Sequence, residues 1–287
     1  PMPMEAIAVL SIAICSATGT LTLTQALSGF SSGIVWLVIF AFFISRGFSK
    51  TNLGRRIAYF FISKLGHSTL GLGYGLIITE LILAPLIPSV TARGGGIIFP
   101  IAKSLVDEYS RETGASSKKT AGYIMQICFQ ANVITSTMFL TSMAANPLVV
   151  KVALDNGIMI SWGTWAVAAI IPGLISLFLL PLVLYKLYKP EITHSDSAPK
   201  IAANELKKIG GFAMNEIIMV LVFLFLITLW IVGGKIGISA TTTALFGFTI
   251  LLLTGVLTMD DAIAEKGAWK TFVWFATLIM LSGFLTK

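Results

Sequence analysis

The chain is predicted to be an all-α membrane protein with inverted repeats, a re-entrant hairpin and a broken helix, and three observations predict it. First, only 11% of its 287 residues are charged and 56% are hydrophobic, against about 25% charged residues in soluble domains. Second, apolar stretches recur with the roughly 17–25 residues that a helix needs to cross hydrocarbon. Third, a charged, glycine-rich octapeptide, Ser89-Val90-Thr91-Ala92-Arg93-Gly94-Gly95-Gly96, lies between two such stretches. Non-helical backbone at membrane depth is tolerated only where protein buries it or where it lines a cavity. A soluble helical core would need polar helix faces that this sequence lacks.

Mean hydropathy is +0.89, and the apolar segments fall near 4–18, 33–48, 70–88, 121–145, 161–187, 214–234, 242–258 and 271–287. The net charge of +7 does not indicate nucleic acid, because the basic residues cluster in loops that flank these segments. Arg46, Lys50, Arg55, Arg56 and Lys64 form one cluster; Lys186, Lys189, Lys200, Lys207 and Lys208 form another. The positive-inside rule assigns both to the cytoplasm. Asp107, Glu108, Arg111, Glu112, Lys118 and Lys119 read as a solvated cytoplasmic loop. Cys15 and Cys128 lie in apolar segments, and His67 and His194 lie in loops away from any convergent carboxylates. Neither a disulfide framework nor a metal site is expected. The chain opens without a signal peptide, at Pro1, and stops within a helix at Lys287; it is expected to be a fragment.

The sequence partly repeats itself. Thr18-Gly19-Thr20-Leu21-Thr22, followed by Ala26, recurs as Thr254-Gly255-Val256-Leu257-Thr258, followed by Ala262. Val35-Trp36 is matched to Val273-Trp274 after a two-residue shift, and Gly47-Phe48 to Gly283-Phe284. Loop charge orients the copies. The uncharged loop 19–31 belongs outside and the basic cluster at 46–64 inside. If residues 70–106 form a hairpin, they enter and leave on the cytoplasmic side; if each arm is a full span, the parity is unchanged. Counting the crossings that follow, the helix at 242–258 runs opposite to its counterpart near the start. Inverted repeats of this kind are typical of secondary transporters. A second repeat of equal length would need its own counterpart of residues 49–187, and the chain stops before it.

Three constellations carry chemistry. In the octapeptide, Ser89 and Thr91 offer hydroxyls, and the glycines admit close approach of a ligand. The helix expected from about Ile97 presents free N–H groups to an anion, to which Arg93 adds a charge with carboxylate geometry. The alternative is that Gly94 to Gly96 permit tight packing and Arg93 pairs with an acid. On the helix at 121–145, Gln126, Gln130, Thr137 and Thr141 share a face, with Asn132 and Ser136 nearby. That helix runs into Thr141-Ser142-Met143-Ala144-Ala145-Asn146-Pro147, where Asn-Pro should break it and free carbonyls for a cation or substrate. Interhelical hydrogen bonding is the alternative. Glu80 is a relay or gating acid or has a structural partner; about nine residues, roughly 13 Å of helix, argue against pairing with Arg93.

These residues resemble the divalent anion/sodium symporter family, in the branch of plastid 2-oxoglutarate/malate translocators and bacterial citrate/succinate and tartrate/succinate exchangers. The likeness carries Pro88 to Gly96, Phe99-Pro100-Ile101, Thr141 to Leu148, Gly29-Phe30 through Trp36 to Arg46-Gly47-Phe48, and Gly54-Arg55-Arg56. It extends over essentially the whole chain, which looks like a middle portion of longer members. The resemblance implies a homodimer with a scaffold and a moving transport domain, working by elevator-type alternating access. It also implies a hairpin tip with a Ser-Asn-Thr pattern that binds a substrate carboxylate and helps form a sodium site. Here Ser89 and Thr91 match and Val90 replaces the Asn, which removes an amide ligand and favours exchange over sodium coupling.

The expected solutes are C4/C5 dicarboxylates, with 2-oxoglutarate/malate antiport across a bacterial inner membrane or a plastid inner envelope; the alternative is a sodium-coupled di/tricarboxylate symporter. Substrate contacts are assigned to Ser89, Val90, Thr91, Arg93, Gly94, Thr141, Asn146 and Pro147, and an ion site to Ser89, Ser142 and Ala144. No cofactor is expected beyond sodium as a coupling ion. An enzyme would need acid, base or nucleophile groups that do not converge here, and a channel would need a continuous polar pore. The domain scheme has scaffold helices with an interfacial helix at 1–66, transport elements at 67–187, a cytoplasmic linker at 188–211, and scaffold helices opening a second repeat at 212–287.

Overall fold

The structure is a computed structural model that describes residues 2–113, 118–194 and 196–285. Pro1 and Lys287, named above, lie outside the described residues. Helices account for most of it: α1 Met4–Ala17, α2 Leu23–Ala26, α3 Gly33–Lys50, α4 Leu53–Leu65, α5 Thr69–Leu83, α6 Val90–Arg93, α7 Phe99–Thr113, α8 Lys118–Met138, α9 Asn146–Asp155, α10 Trp162–Tyr188, α11 Ser197–Ile209, α12 Met214–Val232, α13 Ala240–Leu253, α14 Met259–Ile263 and α15 Lys266–Leu285. Among the described residues the only β feature is a bridge between Ser68 and His194. Gly33–Lys50, Trp162–Tyr188 and Met214–Lys235 are each long and apolar enough to cross a membrane.

Local chemistry sets the helix starts. Ser68, Ser89, Ser161 and Ser239 cap α5, α6, α10 and α13 by accepting from the N–H three residues on, which satisfies a donor the helix leaves open. A carboxylate from elsewhere in the chain serves α8. Glu191 accepts from the N–H groups of Lys119 (3.1 Å) and Thr120 (2.9 Å) and from the Thr120 hydroxyl. Desolvation works to raise the Glu191 carboxyl, but hydrogen bonds from its own N–H, Thr120 and Lys119 together outweigh it and hold it below the ordinary glutamate range. The next residues bind the hairpin. The Thr69 N–H donates to the Thr193 carbonyl, and the Thr69 hydroxyl to that of Ile192.

Two sequence expectations change here. Residues 188–211 are not a plain linker, because α11 occupies their centre and packs on α4. Ala198 and Ala202 are buried while Lys200, Lys207 and Lys208 face outward, an amphipathic pattern masked by the segment's polar composition. At its far end Arg56 grips both Glu216 oxygens (2.8 and 2.9 Å) and the carbonyls of Gly210 and Gly211. Similarly, Asp107, Glu108, Arg111 and Glu112 extend α7 and Lys118 and Lys119 open α8, so these residues are helical and not loop.

The repeated pentapeptide folds the same way twice. The Thr18 and Thr254 hydroxyls donate to the carbonyls four residues back, both at 2.8 Å. Gly19 and Gly255 adopt positive φ of 71° and 73°, which glycine alone accepts readily. Leu21 and Leu257 donate to carbonyls six residues back, both at 3.0 Å. Thr22 and Thr258 form capping boxes with Gln25 and Asp261. The shared frame continues into the following helices, but with a different register from the one the sequence suggested. Trp36 and Trp269 are each the fourth residue of their helix, and each indole N–H donates to a carbonyl of the preceding short element. Trp269, not Trp274, is therefore the counterpart of Trp36; the extra 3₁₀ turn Ser28–Ser31 in the first copy obscures the match. α1 packs on α15, and α3 on both α13 and α15, so exchanging the copies returns the same neighbours.

Candidate functional site

Two non-helical segments meet inside the bundle: residues 84–89, between α5 and α6, and residues 139–145, between α8 and α9. Pro85 and Pro88 explain the first, since proline removes an N–H and disfavours helix at the residue before it. The second leg of the hairpin then starts at Val90, capped by Ser89, and not near Ile97. The glycines do not delay it because they fold into a π-helical turn, Gly94–Ile98, that joins α6 to α7. Gly94 packs closely there: a Cβ would stand 3.0 Å from the Asn132 amide nitrogen and would press on it.

Arg93 is the centre of the contact. Its side chain is 0% exposed. Its Nε donates to Glu80 Oε1 at 2.5 Å, one terminal nitrogen donates to the carbonyls of Ile87 (2.6 Å) and Ser142 (3.0 Å), and the other to the Ser136 hydroxyl (2.8 Å). Glu80 Oε1 also accepts from Asn132 Nδ2 at 2.6 Å and from Thr135 Oγ1 at 3.2 Å. The expectation that Glu80 and Arg93 stand too far apart is overturned. The rise along a helix does not apply across a chain reversal, and the turn at 84–88 brings Arg93 back beside α5. The guanidinium is enclosed, so it does not offer its fork to an open space; the acid-paired alternative describes it.

The broken helix is tied by its own side chains. α8 ends at Met138, so Thr141 is not on its polar face. The face packed against the hairpin is Asn132, Thr135 and Ser136, all buried, while Thr137 is exposed. Asn146 Nδ2 donates to the carbonyls of Ser136 (2.7 Å) and Phe139 (2.9 Å), and the Ser142 hydroxyl points at the same two. The carbonyls freed by the break are thus held by Asn146 and Ser142. Pro147 stands in the first turn of α9, where it costs no hydrogen bond, and Ala144 is half-buried in the loop. The Thr141 hydroxyl donates to the Pro85 carbonyl at 2.5 Å and accepts from the Trp162 indole at 3.1 Å.

The candidate residues therefore form two groups joined by Arg93–Ser142 and Thr141–Pro85. Ser89 and Val90 are partly exposed and Thr91 is exposed, at the start of a helical run from Val90 to Thr113. A cavity of about 410 Å³ opens beside them, lined by Val90, Gly94, Gly95, Phe99, Cys128 and Asn132 among others. Sequence reasoning missed Thr135, the Pro85 carbonyl and Trp162. Only the last had a signal, a tryptophan directly after a helix-capping serine.

Apolar helices of membrane-crossing length, packed around a turn and a broken helix that an enclosed ion pair ties together, mark a polytopic membrane protein. The sodium:sulfate symporter transmembrane region matches residues 1–287, and the chain belongs to that family. It is 52% identical over 289 residues to "Putative malate transporter YflS" of Bacillus subtilis (strain 168), covering all of this chain and 60% of that protein. It is 46% identical over 289 residues to "Dicarboxylate transporter 1, chloroplastic" of Spinacia oleracea, covering all of this chain and 51% of that protein. It is 38% identical over 263 residues to "L-tartrate/succinate antiporter" of Escherichia coli (strain K12), covering 91% of this chain and 54% of that protein. The chain thus spans between half and three-fifths of the length of these relatives. They are transporters and not enzymes.

Proposed function

We propose that the chain forms part of a C4/C5 dicarboxylate carrier that exchanges 2-oxoglutarate for malate. The names of the relatives support the substrate class. At the site, the Ser89 and Thr91 hydroxyls and the first N–H groups of the run from Val90 suit a carboxylate, which a helix start favours through its open donors and dipole. Val90 places no side-chain ligand between the two hydroxyls.

The observation that carries exchange is the bonding of Arg93. Carbonyls from a turn and from a helix break are the groups with which membrane carriers hold sodium. In this chain a tethered guanidinium donates to the Ile87 and Ser142 carbonyls, one from each segment, which leaves these two less free to hold a coupling ion. Its earlier assignment as a direct carboxylate ligand is replaced by this bracing role. Alternating access of elevator type, inverted repeats, a homodimer and a bacterial inner or plastid envelope membrane complete the proposal. Sodium-coupled symport is the second reading, favoured by the family's own description.

The test is reconstitution of the full-length protein in liposomes preloaded with malate, with labelled 2-oxoglutarate outside. Uptake that depends on internal malate and not on sodium is expected. Uptake that requires sodium and no internal malate would replace exchange with symport.

A further inference from the structure

We infer that Trp162 is a positioning residue for the carrier, setting the helix-break loop against the hairpin turn through Thr141. The inference rests on the transport reading above. Trp162 is 5% exposed at the N-terminus of α10. Its ring stacks with Phe139, from the loop, at 5.8 Å and 20°, and with Trp230, from α12, at 5.6 Å and 17°. Two stacked neighbours leave the buried ring little freedom, which holds the direction of its single N–H donor. That donor meets Thr141 Oγ1, whose own proton goes to the Pro85 carbonyl. The hydroxyl cannot turn to another acceptor without losing one of the two bonds.

The chain of contacts continues away from the site. The Trp230 indole donates to the Ala240 carbonyl at the start of α13 at 3.1 Å. One route therefore runs from the hairpin turn through Thr141 and Trp162 to α12 and α13, outside the elements that carry the candidate substrate groups. The Arg93 brace has no such extension; its partners all lie on the hairpin, α8 and the break loop. Of the two cross-links between the segments, the Thr141 link is the one anchored to the helices beyond.

The experiment is a double-mutant cycle on the full-length protein in liposomes. Trp162→Phe keeps an aromatic ring in the stack and removes the N–H, while Thr141→Val removes the acceptor. Trp162→Phe should raise the KM for 2-oxoglutarate about three- to tenfold, the worth of one buried hydrogen bond. The combined variant should be no worse than Thr141→Val alone. Trp165→Phe, which removes an indole N–H of the same helix that bonds the Thr137 carbonyl and not Thr141, should change KM less than twofold. An unchanged KM in Trp162→Phe, or effects that multiply in the double variant, overturns the positioning role. If the wild type carries no dicarboxylate, the transport reading fails and the inference falls with it; an active wild type with an unaffected Trp162→Phe removes the inference alone.

Discussion

Removing the charge of Arg93 should destabilise the protein strongly, and removing Glu80 as well should restore much of the loss. In Arg93→Met the Glu80 carboxylate, 1% exposed, keeps only Asn132 and Thr135 as donors to Oε1. Its Oε2 already has no hydrogen-bond partner among the described residues. Breaking a buried pair on one side costs about 3–5 kcal/mol, because it strands the other charge. At about 1.4 kcal/mol per tenfold, that is about a hundred- to a few thousand-fold in the folded-to-unfolded ratio. Glu80→Gln strands the guanidinium instead and should cost a similar amount. The double variant buries no charge, so its loss should fall well short of the sum of the two. The assay is thermal unfolding of the purified full-length protein in detergent, followed by size-exclusion recovery. Either single variant matching the wild type, or a double variant whose loss equals the sum, would refute the brace.

Asn146→Ala should leave the carbonyls of Ser136 and Phe139 to Ser142, whose hydroxyl points at both and whose N–H donates to Phe139, at about 1–3 kcal/mol; faster amide exchange over residues 139–146, with α10 unchanged, would confirm it. Glu191→Gln should loosen the start of α8, raising exchange at the amides of Lys119 and Thr120. Because the folded carboxyl sits below its ordinary value, its contribution is full above the unfolded value and disappears as pH falls through the folded one. Wild type and Glu191→Gln should therefore converge under acid conditions and differ at neutral pH; a difference that persists in acid would remove Glu191 as the cap.

The helices were legible because apolar length and serine caps are local signals. The apolar segment at 161–187 corresponds to Trp162–Tyr188, and that at 33–48 to Gly33–Lys50. The hairpin was legible because a charged, glycine-rich octapeptide interrupts two apolar stretches. What remained hidden depends on contacts across space. Glu80 and Arg93 look remote until the chain reverses, and Ser136 looks secondary until Arg93 reaches it. The glycine run reads as loop by propensity, yet neighbouring packing holds it in a π turn. Helix α11 was missed because its apolar face is built from small alanines within a lysine-rich segment.

The duplicated turn has a further consequence for how charge is used. Position N3 of the capping box is neutral in one copy, Gln25, and anionic in the other, Asp261, yet both hold their threonine equally at 2.9 Å. The backbone needs only an oxygen there, so ionisation is surplus to the cap. Asp261 spends that surplus on Lys50, at 2.6 Å from the end of α3, and the lysine in return holds its carboxyl below the usual aspartate range. One atom thus closes a turn within its own copy and fastens it to the other. A duplicated element whose fold tolerates either chemistry leaves one copy at liberty to act as a rivet between the two.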